Sequence, residues 1–350
     1  MVLISVASSR VFCIRGERVC QLNLSKRIMN ISTSPELSQF AEDVLTGLSS
    51  TPKHLSSRYF YDDEGSRLFM EIMKLPEYYP TRAEFKVFRE QTDAIYHSFT
   101  DGADAIDLIE LGAGDGAKTA VLVEHFLNRG LDFTYSPIDI SREANDALES
   151  RFRMRFPALT IKPHTGDYFK VLDSLKSDSG RRKVILFLGS NIGNFQKDKA
   201  LAFFRSLRAV MNPDDRLFIG FDMQKDPRVI VAAYDDPQGV TAAFNLNLLT
   251  RINRELGGDF DISKFSHYAQ YRPVECAARS FLISREKQTV HIAALGRSFD
   301  LEQWEPIFME ISQKYTQAMI DELAAESGFA IQQQFMNHED FYVDSLWRPV

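Results

Sequence analysis

An open α/β sheet with a second, inserted α+β region is what this sequence predicts, on three observations. A short block of branched apolar residues, Ile106, Leu108, Ile109 and Leu111, ends on Gly112, Gly114 and Gly116 and then passes into a helical pattern through Val121, Leu122, Val123 and Phe126. Strands buried on both faces read as such unbroken apolar runs, and strand, glycine turn and helix open nucleotide-type folds. Strand-like and helical stretches then alternate as far as Phe221. Beyond Asp226 the rhythm changes to helix, turn, helix and a series of alternating stretches that suit antiparallel strands. A Rossmann-like sheet interrupted by an insertion accommodates all three.

Composition narrows the function classes. The 350 residues are 44% hydrophobic and 25% charged, which suits a globular enzyme. A net charge of −7 disfavours nucleic acid as a partner. No apolar run approaches the ~20 residues of a membrane span, so no membrane role is expected. Three cysteines and seven scattered histidines make neither a disulfide framework nor a metal-ligand spacing, so no metal is expected. A cytoplasmic protein is the expectation, and nothing in the sequence calls for more than a monomer.

In chain order, residues 1–30 read as a flexible extension, too short and too interrupted for a signal peptide. Helical periodicity runs from Pro35 to about Leu48. In the segment Arg58–Phe88, Leu68, Phe69, Ile72 and Met73 form a helical face, and Pro76 and Pro80 bracket a tyrosine-rich turn. Its tyrosines suit packing as well as chemistry, and Asp62 and Asp63 suit a solvated turn. After the glycine loop come a strand over Phe133–Ile140, a helix over Glu143–Phe156 and a short strand at Thr160–Lys162. Lys183–Leu188 is a further buried strand, 196–210 a helix, and Arg216–Phe221 a strand ending at Asp222. Ser266–Arg272, Ala278–Arg285 and Thr289–Ala294 alternate, as does Ile307–Tyr315; Thr316–Ser327 is a helix with Gly328 as its C-cap. Ile331–Phe335 and Tyr342–Arg348 close the chain as a hairpin.

The loop spacing is G-x-G-x-G with Glu110 just before it, unlike the dinucleotide G-x-G-x-x-G. It is typical of S-adenosylmethionine (SAM) methyltransferases, although a plain tight turn has the same composition. Asp139 ends the second strand where an acid takes ribose hydroxyls. Asp167 and Tyr168 stand where a SAM fold meets adenine, and turn chemistry also explains Gly166-Asp167. The loop Gly189–Asn194 lies at the carboxyl end of a central strand, where open sheets place reacting ligands. Asn194 can both donate and accept hydrogen bonds there.

With these residues in view, the chain resembles the histidine-specific SAM-dependent methyltransferases that make hercynine in ergothioneine biosynthesis. The likeness runs from about Pro52 to the C-terminus, through FYDDEGSRLF, LPEYYPTRAE, ELGAGDGAKT, FLGSNIGNF, AYDDPQGVTAAFN with NRELGGDFD, and EISQKY. It implies Nα-methylation of L-histidine, a small-molecule amino acid, with SAM as co-substrate. Gly112, Lys118, Asp139, Asp167 and Tyr168 would contact SAM, with Lys118 on its carboxylate. Tyr78, Asn194, Tyr234, Glu310 and Ser312 would form the amino-acid pocket: Asn194 and Tyr234 on the α-carboxylate and α-amine, Glu310 and Ser312 on the imidazole. Tyr61 would sit beside the reacting amine, making Tyr61 and Asn194 the catalytic pair. An alternative reading of Glu310 is an exposed carboxylate paired with Lys314.

The family segment resembling I-E-M-W-L carries a methionine that lines the side-chain pocket. Here it reads Ala278-Arg279-Ser280-Phe281-Leu282, so another amino acid or small amine is the alternative acceptor. The expected division is a SAM-binding domain over 86–222 and 316–350 and a substrate-binding domain over 31–85 and 223–315.

Overall fold

A computed structural model describes residues 35–350 apart from 140–141, 167, 169–170 and 172–179. The N-terminal extension and Asp167 lie outside the described residues.

Of the first six strands, all but the fourth form where the sequence predicts them. They are β1 (Ala105–Leu111), β2 (Asp132–Asp139), β3 (Thr160–Ile161), β4 (His164–Thr165), β5 (Arg182–Phe187) and β6 (Arg216–Asp222). Then follow β7 (Phe265–Arg272), β8 (Ala277–Ser284), β9 (Gln288–Ile292), β10 (Arg297–Leu301), β11 (Pro306–Gln313), β12 (Phe329–Met336) and β13 (Tyr342–Pro349). Eight of them build one sheet in the order β12-β13-β6-β5-β1-β2-β3, with β4 also paired to β2. Every pairing is parallel except those of β13, which runs antiparallel to both β6 and β12.

Strand order reverses between β1 and β5, which pair in register from Ile106↔Arg182 to Glu110↔Leu186. That reversal opens a crevice at the carboxyl ends of the two strands. Residues of β5 and β6 are buried throughout, and their side chains alternate between two cores. Val184, Leu186 and Phe218 pack with Phe88 and Phe99 of the helix Tyr79–Thr100 and with Phe126. Ile185, Phe187 and Ile219 pack on the other face with Phe204, Ile320 and Trp347. Each such side chain contributes about 1.5–3 kcal/mol by leaving water, so the strand ends are held on a rigid base.

Contacts divide the chain into two compact units. The larger comprises Met70–Thr241, Ala269–Ser280 and Glu310–Val350, and contains the whole eight-stranded sheet. The smaller includes the described chain up to Phe69, together with Ala242–Tyr268 and Phe281–Met309. In the smaller unit, Phe40, Val44, Phe60, Phe244, Leu248 and Ile252 form buried packing, and β9 pairs with β10 antiparallel. A further, three-stranded sheet has the order β11-β8-β7. The expected open sheet with an α+β insertion is therefore present. Among the elements that went unanticipated are β4, β10, whose RSFDL alternates over only a few residues, and the helix Tyr79–Thr100, where a turn around Pro80 was expected. Among the described residues no helix is long and apolar enough to cross a membrane.

Candidate active site

The crevice side of β1 is shaped by backbone. Gly112 has φ 72, where a side chain is strained, and a Cβ there would lie 2.9 Å from the Tyr168 hydroxyl and 3.6 Å from Asn191 Nδ2. The bare loop thus leaves a cradle that one methyl group would fill. Asp139 ends β2, half-buried, with Ile138 receiving the Gly112 N–H through its carbonyl at 2.8 Å. Glu110, behind the loop, accepts from the Tyr135 hydroxyl at 2.5 Å. Burial pushes its carboxyl up to about 7, against hydrogen bonds from Tyr135 and Thr119 and the charge of Lys118.

Lys118 lies across from the loop after β5, where a Cβ on Gly189 would be 3.4 Å from its ammonium. Its partner is Glu84, fully buried on the helix Tyr79–Thr100. Burial works against the Lys118 charge, but Glu84 and Glu110 more than offset it and hold its pKa above the usual value. Glu84 also accepts the Gly189 N–H at 2.8 Å and the Tyr342 hydroxyl at 2.9 Å. One carboxylate therefore ties the glycine loop after β5 to the lysine beside β1. Asp344, on β13, completes this cluster: burial and the Glu84 charge, with Lys118 opposing, push its carboxyl well up.

The Gly189–Asn194 loop continues with Ser190 in the left-handed region at φ 55, a strained conformation for a residue with a Cβ. Ser190 Oγ accepts the backbone N–H of Asp222, fixing the loop to the end of β6. A Cβ on Gly193 would lie 2.9 Å from the carbonyl of Gln313, so only glycine lets the loop meet the end of β11 this closely. Asn194 follows at once and is half-buried. The cradle beside Gly112 and the end of β11 are thus joined through one loop.

Around Asp222 lies a second buried cluster. Its carboxylate accepts from the Tyr79 hydroxyl at 2.9 Å and pairs with Lys314 at 2.8 Å and with Lys225. Lys314 also donates to the Tyr234 hydroxyl at 2.7 Å and to Ser312 Oγ at 2.8 Å, and Tyr234 donates to Ser312 at 2.7 Å. The Tyr78 ring stands edge-on to that of Tyr234, centroids 6.5 Å apart. Burial, reinforced by Tyr234, Glu310 and Asp222, raises the Tyr78 pKa well above the ordinary value; burial, Asp222 and Glu310 do so for Tyr234. Both phenols keep their protons. Glu310, half-buried on β11, is pushed up to about 7 by burial, against the charge of Lys314, and no hydrogen bond takes part.

Tyr78, Tyr234, Glu310 and Ser312 are therefore neighbours, and Gly112 and Tyr168 meet; Lys118, Asp139 and Asn194 stand on the adjoining strand ends of the same unit. Tyr61 belongs to the smaller unit, 44% exposed and edge-on to Phe69 and Phe244 at 5.5 and 5.6 Å. The solvated-turn reading of Asp62 is corrected. It accepts from Gly65 N, Asn247 and Arg254, and these bonds outweigh burial and lower its pKa. The pairing of Lys314 with Glu310 is corrected as well, because the ammonium is spent on Asp222, Tyr234 and Ser312. Arg279 pairs with Glu275 at 2.5 Å, and Ser280 is buried on β8, next to β11.

Sequence reasoning passed over Glu84, read Asp222 only as the end of a strand, and offered Lys314 only as a partner for Glu310. Glu84 was visible as the last letter of LPEYYPTRAE, and Lys314 stood within EISQKY. Neither signal says which distant partner it meets.

The sequence pattern of a family described as histidine-specific, SAM-dependent methyltransferases matches residues 40–349. A histidine N-alpha-methyltransferase of Mycobacterium tuberculosis is 38% identical over 284 residues, covering 81% of this chain and 87% of that protein. Ergothioneine biosynthesis protein 1 of Schizosaccharomyces pombe is 30% identical over 242 residues, 67% of this chain and 31% of that protein. An L-tryptophan methyltransferase, trpM of Psilocybe serbica, is 26% identical over 328 residues, 85% of this chain and 90% of that protein.

Proposed function

The chain belongs to the histidine-specific, SAM-dependent methyltransferases, and from that premise we propose that it methylates the α-amine of L-histidine, ending at the trimethylated betaine hercynine. The observation that carries the choice of acceptor is the pair Glu310 and Ser312, two residues apart on one strand. A neutral imidazole has one N–H donor and one bare nitrogen acceptor. Among the described residues no hydrogen bond reaches the Glu310 carboxylate, which can accept the first, while the Ser312 hydroxyl can serve the second. Residues 86–222 and 316–350 take the donor in this reading, and 31–85 and 223–315 the acceptor; the division is one of role.

SAM supplies an electrophilic methyl group on sulfonium sulfur. Gly112 gives it backbone room, Asp139 is assigned to the ribose and Tyr168 to the adenine, with Asp167 assigned there by the resemblance alone. Lys118 serves the carboxylate, with Glu84 setting the position of its ammonium. On the acceptor side Asn194 and Tyr234 hold the α-carboxylate and α-amine. Proximity is the main contribution, because a neutral amine held in line needs no strong base. Tyr78 and Tyr234 remain protonated and act as hydrogen-bonding and aromatic surfaces, which favour a growing methylammonium charge. Tyr61 is assigned to the amine by the resemblance alone.

Titration of the protein with L-histidine in the presence of S-adenosylhomocysteine tests the reading. Saturable histidine binding is expected. Binding of S-adenosylhomocysteine with none of histidine would overturn the acceptor. A second reading keeps the chemistry and changes the amino acid, since small Ser280 on β8 and the tryptophan-acting relative favour a different side-chain pocket.

A further inference from the structure

We propose that Lys314 is a positioning residue that makes Ser312 an obligatory hydrogen-bond donor and thereby selects an amino acid whose side chain offers a bare ring nitrogen. The inference rests on the acceptor reading above and deepens it. Lys314 is fully buried and has three N–H bonds and no lone pair. All three are spent, on Asp222 at 2.8 Å, Tyr234 at 2.7 Å and Ser312 at 2.8 Å. Both hydroxyl oxygens must therefore accept from the ammonium.

Tyr234 and Ser312 also share one hydrogen bond with each other, at 2.7 Å. Two hydroxyl protons are present and one lies in that bond, so a single proton is left to point out of the triangle. The phenol is the stronger acid and the better donor, which runs the bond from Tyr234 to Ser312. Ser312 Oγ then accepts twice, from Tyr234 and from Lys314, and both its lone pairs are filled. Only its O–H remains. A ligand atom facing Ser312 must accept, and one facing the carboxylate of Glu310 must donate.

Neutral imidazole satisfies both. Indole carries an N–H but no ring acceptor and leaves the Ser312 proton unmatched; imidazolium carries two donors and meets the same mismatch. A site built around a polar partner rejects analogues lacking it more strongly than an apolar pocket rejects a misfit. Asp222 is the anchor: it gives the ammonium a reason to be buried here and faces it directly.

The test compares wild type, Lys314→Met, Ser312→Ala and the double variant by calorimetric titration with L-histidine and L-tryptophan, each with S-adenosylhomocysteine present. Wild type should bind histidine well and tryptophan weakly. Lys314→Met should lose about tenfold to a hundredfold in histidine affinity, the range of one or two hydrogen bonds to a charged network, with S-adenosylhomocysteine affinity within about twofold. Its preference for histidine over tryptophan should shrink. The double variant should bind histidine no worse than Ser312→Ala, because one residue acts through the other. If Lys314→Met does not fold, Lys314→Arg takes its place, since a planar guanidinium keeps the charge but not the three-way geometry. Wild type that binds histidine while the variant binds it equally, or additive losses in the double variant, overturns the inference alone. Wild type that ignores histidine overturns the reading of the acceptor site and the inference with it.

Discussion

Two buried ionic clusters lie in the same unit, at neighbouring strand ends, and have opposite inventories. Behind the glycine loops, one ammonium, Lys118, serves three carboxyl groups, Glu84, Glu110 and Asp344. Beside β11, one carboxylate, Asp222, serves two ammoniums, Lys225 and Lys314. The first cluster resolves its excess by keeping a proton on Asp344, whose carboxyl burial and Glu84 push well up, although Lys118 opposes. The second resolves it by weakening the hold on a proton at Lys225, which burial lowers to about 8 despite Asp222, with Lys314 adding to the fall. Buried charge is costly unless paired, so each cluster can spare a different member.

The sharpest contrast is between the two aspartates. Asp222→Asn strands two buried ammoniums with no carboxylate, and denaturant unfolding should record a loss of about 3–5 kcal/mol. Retention of wild-type stability would mean that the lysines are not held by this residue. The next effect is in pH. The Lys225 pKa lies near 8 in the folded chain against a reference value of 10.5, so the unfolded chain binds more protons between those values. The penalty is complete below about 8 and disappears above 10.5, so stability rises with pH across that window. The rise amounts to at most roughly 3 kcal/mol, at 1.36 kcal/mol per pKa unit. Lys225→Met should lack it when both proteins are unfolded at several pH values across the window; parallel curves would refute the assignment. The smallest effect is expected at Asp344→Asn. A carboxyl that already keeps its proton is replaced by a neutral group of like shape, so stability should change by less than about 1 kcal/mol. A loss as large as that of Asp222→Asn would erase the distinction between the clusters.

The same contrast explains what could be read from the chain. The cradle beside Gly112 belongs to one local unit of strand, glycines and helix, so its outline is visible within fifteen letters. Asp139 is legible for a similar reason, as the end of the next strand. The Asp222 cluster draws on nearby Lys225 but also on Tyr79, Tyr234, Ser312 and Lys314, which come from distant parts of the chain. The local rule that pairs Glu310 with Lys314 on sequence proximity fails because Asp222 is a partner available only after folding. Glu84 is hidden likewise, since its three partners come from the start of the helix after the first glycine loop, from the loop after β5 and from β13.

Chemistry at the acceptor is the most direct check on the whole account. Incubation with SAM and L-histidine, followed by fragmentation mass spectrometry of the product, should place successive methyl groups on the α-nitrogen and none on the ring. Methyl groups on the imidazole, or unmodified histidine from protein that still binds S-adenosylhomocysteine, would contradict the placement of the amine toward the donor and of the ring between Glu310 and Ser312.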